Sequence, residues 1–145
     1  MLRRLAYFIV PMLALAFVDL AVKERLPTDD WLLHERSAGW VALSTALLLG
    51  CLAIACLSSR KVAVLAALTA GGALGNLISV GRDGAVPNPL HLGGSNGIVF
   101  NLADVFVVSG LLLLVVALMS ASVRHRDRLI PPREWEKRLV RWVRR

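Results

Sequence analysis

The run Phe100-Asn101-Leu102-Ala103-Asp104 places an amide and a carboxylate three residues apart, at the beginning of an apolar segment that continues to about Ala121. Three residues is close to one helical turn, so Asn101 and Asp104 are expected to face the same way. A carboxylate inside a bilayer costs about 3 kcal/mol on insertion scales. Asp104 is therefore a functional candidate, and the next question is which residues work with it.

Other polar residues gather near the same segment. Asn76 follows Gly71 and Gly75, which have the spacing of small residues that let a second helix approach closely. Asn76 alone fits either an interhelical hydrogen bond or a hydrogen bond to substrate. The stretch 81–98 is rich in glycine and proline and cannot continue a helix. The sequence thus predicts one candidate site, which gathers Asn76, Arg82, Asp83, Asn88, His91, Asn101 and Asp104.

The histidines and cysteines predict neither a metal site nor a disulfide. His91 has no companion ligand, because His34 belongs to a different loop and His125 to the tail. Cys51 and Cys56 lie five residues apart in one apolar segment, where helical side chains point in different directions. No metal and no cofactor are expected.

Asp19 and Lys23 form a second polar feature, near the end of the first apolar segment. Their i,i+4 spacing suits an ion pair close to the membrane interface. We interpret them as a structural polar pair that fixes the depth of the segment.

The composition is that of a membrane protein with a single domain of spans. Hydrophobic residues make up 57% of the 145 residues, and the mean hydropathy is +0.64. Four segments are long enough to cross a bilayer as helices, which predicts an all-α fold with four transmembrane helices. The predicted spans are residues 5–22, 38–57, 62–80 and 99–121.

The basic residues predict the orientation of these spans. Arg3 and Arg4 precede the first span, Arg60 and Lys61 link the second to the third, and nine of the 17 Lys and Arg residues follow the fourth. Cytoplasmic loops carry such an excess of positive charge, so both termini are predicted to be cytoplasmic and the site to lie at the outer face. The net charge of +7 then suits anionic lipid headgroups, and nucleic acid is not an expected partner.

Two predictions concern the loops and the tail. The first outer loop, residues 22–37, is a candidate flap over the site, with Trp31 at the interface. Residues 1–121 form the predicted membrane domain, and residues 122–145 form a basic cytoplasmic tail. In that tail Trp135, Leu139, Trp142 and Val143 recur at helical spacing, which indicates an amphipathic helix on the membrane surface or a helix that docks a partner.

With these motifs the chain resembles the lipoprotein signal peptidases, the signal peptidase II family. The resemblance rests on the four-span layout, the Asp19-x-x-x-Lys23 pair, Gly75-Asn76, and the Phe100-to-Asp104 signature. It implies a monomeric aspartic endopeptidase of the bacterial cytoplasmic (inner) membrane that contacts membrane lipids. The implied substrate is a lipid-modified prolipoprotein or a similar membrane peptide, cut at the outer leaflet. Asp104 would then be catalytic, and Asn76 and Asn101 would hold the substrate.

The chain also departs from the family pattern. Ser79-Val80 stands where the family has Asp-Arg, and Ser37 stands where an Asn is expected to touch substrate. Without gaps, the first catalytic Asp falls on Asn88. Two neighbouring carboxylates normally share one proton, so that one acts as base and the other as acid. An amide cannot take a proton from water, and loss of a general acid or base costs about 10²- to 10⁴-fold in rate.

Because the chain matches the family pattern at some positions and departs from it at others, three functions are compatible with the sequence. The first is a divergent peptidase in which Asp104 and Asn88 form the catalytic pair, Arg82 and Ser37 help to bind substrate, and Asp83 is a candidate substitute acid. In that case Asp104 is the only acid and Asn88 orients the water, or Asp83 or another subunit supplies the missing acid. The second is a non-proteolytic member that binds lipidated peptides or a membrane partner. The third, a solute-transport subunit, is disfavoured because no polar residue marks a path through the inner half of the spans.

Overall fold

The computed structural model describes residues 2–93 and 97–124. Four helices account for most of them: α1 (Leu2–Arg25), α2 (Ala38–Leu57), α3 (Arg60–Asp83) and α4 (Leu102–Arg124). A 3₁₀ turn (Asp30–Leu32) and strand β1 (Leu33–Glu35) lie between α1 and α2. Strands β2 (Ala85–Pro87), β3 (Leu90–Leu92) and β4 (Ile98–Phe100) lie between α3 and α4.

All four helices are long and apolar enough to cross a membrane, which confirms the predicted four-span fold. Helix α2 has the predicted bounds, because Ser37 caps its first turn by accepting a hydrogen bond from the Trp40 amide. Helix α3 is longer than predicted and includes Arg82 and Asp83, since it continues through Gly81 and ends at Gly84, which adopts a left-handed conformation with φ of 72°.

Helix α3 is the central helix of the bundle. In the most apolar 18-residue stretch of α3, 61% of the residues are buried, whereas the share is 11–17% in the corresponding stretches of the other three helices. Its alanines and glycines allow close packing: a Cβ added at Gly71 would lie 2.8 Å from Leu15 Cβ, and one at Gly75 would lie 2.6 Å from the Asp19 carboxylate. The predicted small-residue contact is therefore made with α1.

Two short antiparallel sheets, neither of which was predicted, lie at the end of the bundle where α1 and α3 end and α2 and α4 begin. In one of them β1 pairs with β2, with His34 opposite Val86, so the two long loops are joined. In the other, β3 pairs with β4 and Leu90 lies opposite Phe100. Residues 98–100 therefore belong to a strand and not to the fourth span, and α4 begins three residues later than predicted.

The chain separates into two compact units, residues 1–114 and residues 115–145. Of the second unit, the structure describes only Val115–Arg124, the last part of α4. The predicted amphipathic helix of the tail lies outside the described residues.

Candidate functional site

Asn101 and Asp104 form a reciprocal cap at the first turn of α4. The Asp104 amide donates to Asn101 Oδ1 at 2.9 Å, and the Asn101 amide donates to Asp104 Oδ2 at 3.2 Å. This pattern is a capping box, in which each side chain satisfies a backbone donor of the helix end. The predicted proximity of the two residues is therefore found, and the partly buried Asp104 carboxylate is fixed at the positive end of the helix.

Asn76, on α3, holds the other oxygen of the same carboxylate. Its Nδ2 donates to Asp104 Oδ1 at 2.9 Å, and its Oδ1 accepts from Lys23 Nζ at 2.7 Å. Because Lys23 can only donate, the direction of the Asn76 amide is fixed. Both oxygens of Asp104 thus accept an N–H, as a carboxylate does.

The Asp19–Lys23 pair lies inside the bundle and not at its surface. Lys23 Nζ is 2.7 Å from Asp19 Oδ2, and the side chains are 4% and 0% exposed respectively. Asp19 Oδ1 also accepts from the Ala103 amide at 2.8 Å, and Lys23 Nζ donates to Ser79 Oγ at 3.2 Å. The pair therefore ties α1 to α3 and to the first turn of α4, whereas its role in fixing the depth of α1 stays a prediction.

Asn88 is buried behind the α4 cap, with 3% of its surface exposed. Its Oδ1 accepts from Asn101 Nδ2 at 2.7 Å, and its Nδ2 lies 3.2 Å from His34 Nδ1. Its backbone amide donates to Leu32 O at 3.2 Å. The residue that aligns with the missing catalytic Asp is thus in direct contact with Asn101, and one residue removed from Asp104.

His34 is a site residue that the sequence reasoning missed. From the sequence alone His34 is only a possible metal ligand without a companion, because it belongs to the other loop. Because β1 pairs with β2, His34 lies next to Asn88, which follows β2. A three-residue strand leaves too weak a sequence pattern to predict that pairing.

Three other predicted site residues have different surroundings. Ser37 Oγ accepts from the Trp40 amide and so caps α2. Arg82 is exposed, with Nη1 2.7 Å from Glu24 Oε1 and Nε 3.2 Å from Asp83 Oδ1. Arg82 and Asp83 line a small cavity of about 60 Å³, which is separate from the groove that Asp104 lines. Substrate binding by Ser37 or Arg82, and replacement of the missing acid by Asp83, stay predictions.

A groove between α2, α3 and α4 leads to Asp104 and Asn76. Its volume is about 370 Å³, and its other walls are mostly apolar, formed by Trp40, Leu43, Ser44, Leu47, Ala73, Val107 and Val108. At the beginning of α2 the Arg36 guanidinium lies over the Trp40 ring, 5.0 Å from its centroid. A groove of this kind accommodates an apolar segment whose polar part meets a carboxylate and an amide.

Within residues 2–93 and 97–124, no group of three or more His, Cys, Asp or Glu side chains is arranged to hold a metal ion. The groove itself presents the fixed Asp104 carboxylate and the Asn76 amide.

Comparisons with known proteins agree with this architecture. Two solved structures described as bacterial membrane enzymes share the fold. One has a TM-score of 0.65 and 16% identity, covering 84% of this chain and 93% of that one. The other has a TM-score of 0.61 and 18% identity, covering 76% and 90%.

Sequence comparison identifies the family. A lipoprotein signal peptidase of Methylobacterium radiotolerans is 40% identical over 78 residues, which is 52% of this chain and 45% of that protein. The match therefore spans about half the length of that relative. The family model described as signal peptidase (SPase) II matches residues 29–120, more than half of the chain and including Asn76, Asn88, Asn101 and Asp104. The chain belongs to the signal peptidase II family.

Proposed function

We propose that this protein engages lipid-modified precursor proteins in the groove beside Asp104 and processes their signal peptides as a slow endopeptidase. The observation that carries the proposal is the fixed Asp104 carboxylate, which lines a largely apolar groove together with Asn76. Membership of a family of lipoprotein signal peptidases supports the substrate class.

The groove has the polarity that such a substrate needs. Its apolar walls, from Leu43 and Leu47 to Val107 and Val108, suit an acyl chain or an apolar signal segment. Asp104 and Asn76 are the polar groups of the groove that would meet the peptide bond of the substrate. Asn76 Nδ2 carries two hydrogens and gives one to Asp104, which leaves one N–H for a substrate carbonyl.

In the mechanism that we propose, Asp104 acts as the only carboxylate. It takes a proton from water, whose oxygen bonds to the carbonyl carbon of the scissile peptide. The C–N bond then breaks, and Asp104 returns the proton to the leaving nitrogen. A second acid to polarise the carbonyl is missing at Asn88, so we expect cleavage about 10²- to 10⁴-fold slower than with two carboxylates.

A second candidate function is binding of the same precursors without cleavage. This alternative is favoured by the hydrogen bonds of the Asn88 side chain: Oδ1 accepts from Asn101, and Nδ2 faces His34. Under this alternative the groove selects lipidated peptides, and the chemistry is absent.

The location and assembly of the protein are part of the proposal. The distribution of Lys and Arg supports a multi-pass protein of the bacterial cytoplasmic membrane, with both termini inside and the groove open to the outer leaflet. We propose that the protein acts as a monomer, as the resemblance to the family implies.

The groove can be tested by filling it. Ser44 lines the groove, whereas its neighbour Thr45 is exposed and bonds to Val41 O. We expect Ser44→Trp to weaken capture of a diacylglyceryl-modified precursor by at least about ten-fold, because the indole would occupy the groove. Thr45→Trp, a matched change on the same helix, should leave capture unchanged. Equal capture by both variants in detergent pull-down would refute the groove as the binding site.

A further inference from the structure

His34 Nδ1 lies near two groups that it cannot serve at the same time. It is 3.2 Å from Asn88 Nδ2 and 3.3 Å from Leu32 O. Nδ2 is a donor and needs a lone pair on the ring nitrogen, whereas the carbonyl oxygen is an acceptor and needs an N–H. A ring nitrogen has one or the other, so the proton on His34 decides which contact is made.

The hydrogen bonds around the α4 cap determine whether neutral His34 Nδ1 pairs with Asn88 Nδ2 or with the Leu32 carbonyl. The Asp104 amide donates to Asn101 Oδ1, so Asn101 must present Nδ2 to Asn88. Asn88 must then present Oδ1 to Asn101 and Nδ2 to His34. A backbone N–H that cannot be reversed thus fixes two amides and the neutral imidazole, with the proton on Nε2.

We propose that His34 is a positioning residue, whose neutral form holds Asn88, and through it Asn101, in the arrangement that supports Asp104. The inference rests on the proposed function for its effect on substrate, and on the hydrogen bonds alone for its effect on the site. When His34 gains a proton, Nδ1–H turns to the Leu32 carbonyl and Asn88 loses its acceptor. Since Asn88 is buried, its freed N–H finds no water.

His34 contacts apolar and amide groups, and the charged side chains nearby face away from it or lie beyond those amides. Its partner across the sheet is the apolar Val86, and Glu35, next along β1, points to the opposite face. The Arg36 guanidinium is stacked on Trp40, and the charges of Asp104 and Lys23 are connected to His34 only through intervening amides. The arrangement is therefore expected to hold while the His34 ring is neutral and to break once the ring gains a proton.

The first test reads the ring directly. Nitrogen NMR of the ¹⁵N-histidine-labelled protein in detergent, with the signal assigned by its loss in His34→Gln, should show Nδ1 without a proton at pH 7.5. At a pH low enough to protonate the ring, the same signal should report Nδ1–H. An Nδ1–H form at pH 7.5 would overturn the inference, whatever the activity of the protein.

The second test reads the site through precursor capture or cleavage. Between the pH at which NMR shows a neutral His34 and the pH at which it shows a protonated ring, we expect capture or cleavage by wild type to fall about ten-fold, the effect of one unsatisfied buried N–H. His34→Gln should flatten this ratio, because Gln offers Asn88 an acceptor that does not titrate. His91→Gln, at an exposed position on β3, should keep the wild-type ratio.

A change at Asn88 gives the sharpest form of the prediction. In Asn88→Asp the new carboxylate would accept from protonated His34, so activity should now rise as pH falls and His34→Ala should remove that rise. An unchanged direction of the pH profile, or a wild-type profile like that of His34→Gln, would refute the inference. A wild type that neither captures nor cleaves at any pH would refute the proposed function instead, and the NMR result would still decide the role of His34.

Discussion

At the scale of single residues, the Asp104 carboxylate is held in place by hydrogen bonds whose donors and acceptors cannot be exchanged. Lys23 orients Asn76, and the Asp104 amide orients Asn101, so no amide at the carboxylate is free to reverse. Such preorganisation is what a catalytic or binding carboxylate requires, because no reorientation is needed when substrate arrives. The same bonds also cap a helix, so structure and proposed function share these side chains.

The buried ion pair gives a prediction at this scale. Lys23→Met would leave Asp19 charged and unpaired inside the bundle, which should cost about 3–5 kcal/mol. The midpoint of thermal unfolding in detergent should fall by about 10 °C or more.

The control for this prediction is the double variant Asp19→Asn/Lys23→Met. It removes both charges and keeps an oxygen that can accept from the Ala103 amide. It should unfold at a higher temperature than Lys23→Met alone. If Lys23→Met unfolds at the wild-type temperature, the pair is not a buried one.

At the scale of elements, the site depends on how closely α4 approaches α3. A Cβ added at Gly72 would meet the backbone oxygen of Ala103, in the first turn of α4, as well as Val107. The glycine therefore allows the backbone of α4 to lie against α3 and places Asp104 within reach of Asn76.

This contact can be tested by adding one methyl group. Gly72→Ala should push the first turn of α4 away from α3, lower stability by about 1–3 kcal/mol and reduce precursor capture. Gly81→Ala, on the same helix with nothing within 4 Å of the added Cβ, should be neutral or stabilising. Equal behaviour of the two variants in thermal unfolding would contradict the close contact.

At the scale of the whole molecule, hydropathy was sufficient to predict the four helices, because spans of about 20 apolar residues have few alternatives. Spacing was sufficient to bring Asn101 to Asp104, since a helix cap and the third residue of the helix are about one turn apart. The contacts of Asn88 and His34 could not be predicted in this way. They depend on three-residue strands whose pairing is decided by the meeting of two loops that are more than fifty residues apart.

The orientation of the molecule is a prediction at the same scale. In a variant with Cys51 and Cys56 replaced by alanine, Glu24→Cys lies at the end of the bundle that holds the site, and Lys61→Cys lies at the opposite end. A membrane-impermeant maleimide added to intact spheroplasts should label Glu24→Cys only. Labelling of Lys61→Cys without permeabilisation would reverse the predicted topology.

The most direct test of Asp104 as the acting carboxylate is cleavage of a purified diacylglyceryl-modified precursor in detergent. Wild type, Asp104→Asn and Asn88→Asp would be compared over the same time course. We predict slow cleavage by wild type, none by Asp104→Asn, and cleavage about 10²- to 10⁴-fold faster by Asn88→Asp, because a second carboxylate would complete the acid–base pair. Cleavage that persists in Asp104→Asn, or precursor that neither wild type nor Asn88→Asp can cleave, would contradict the assignment of Asp104.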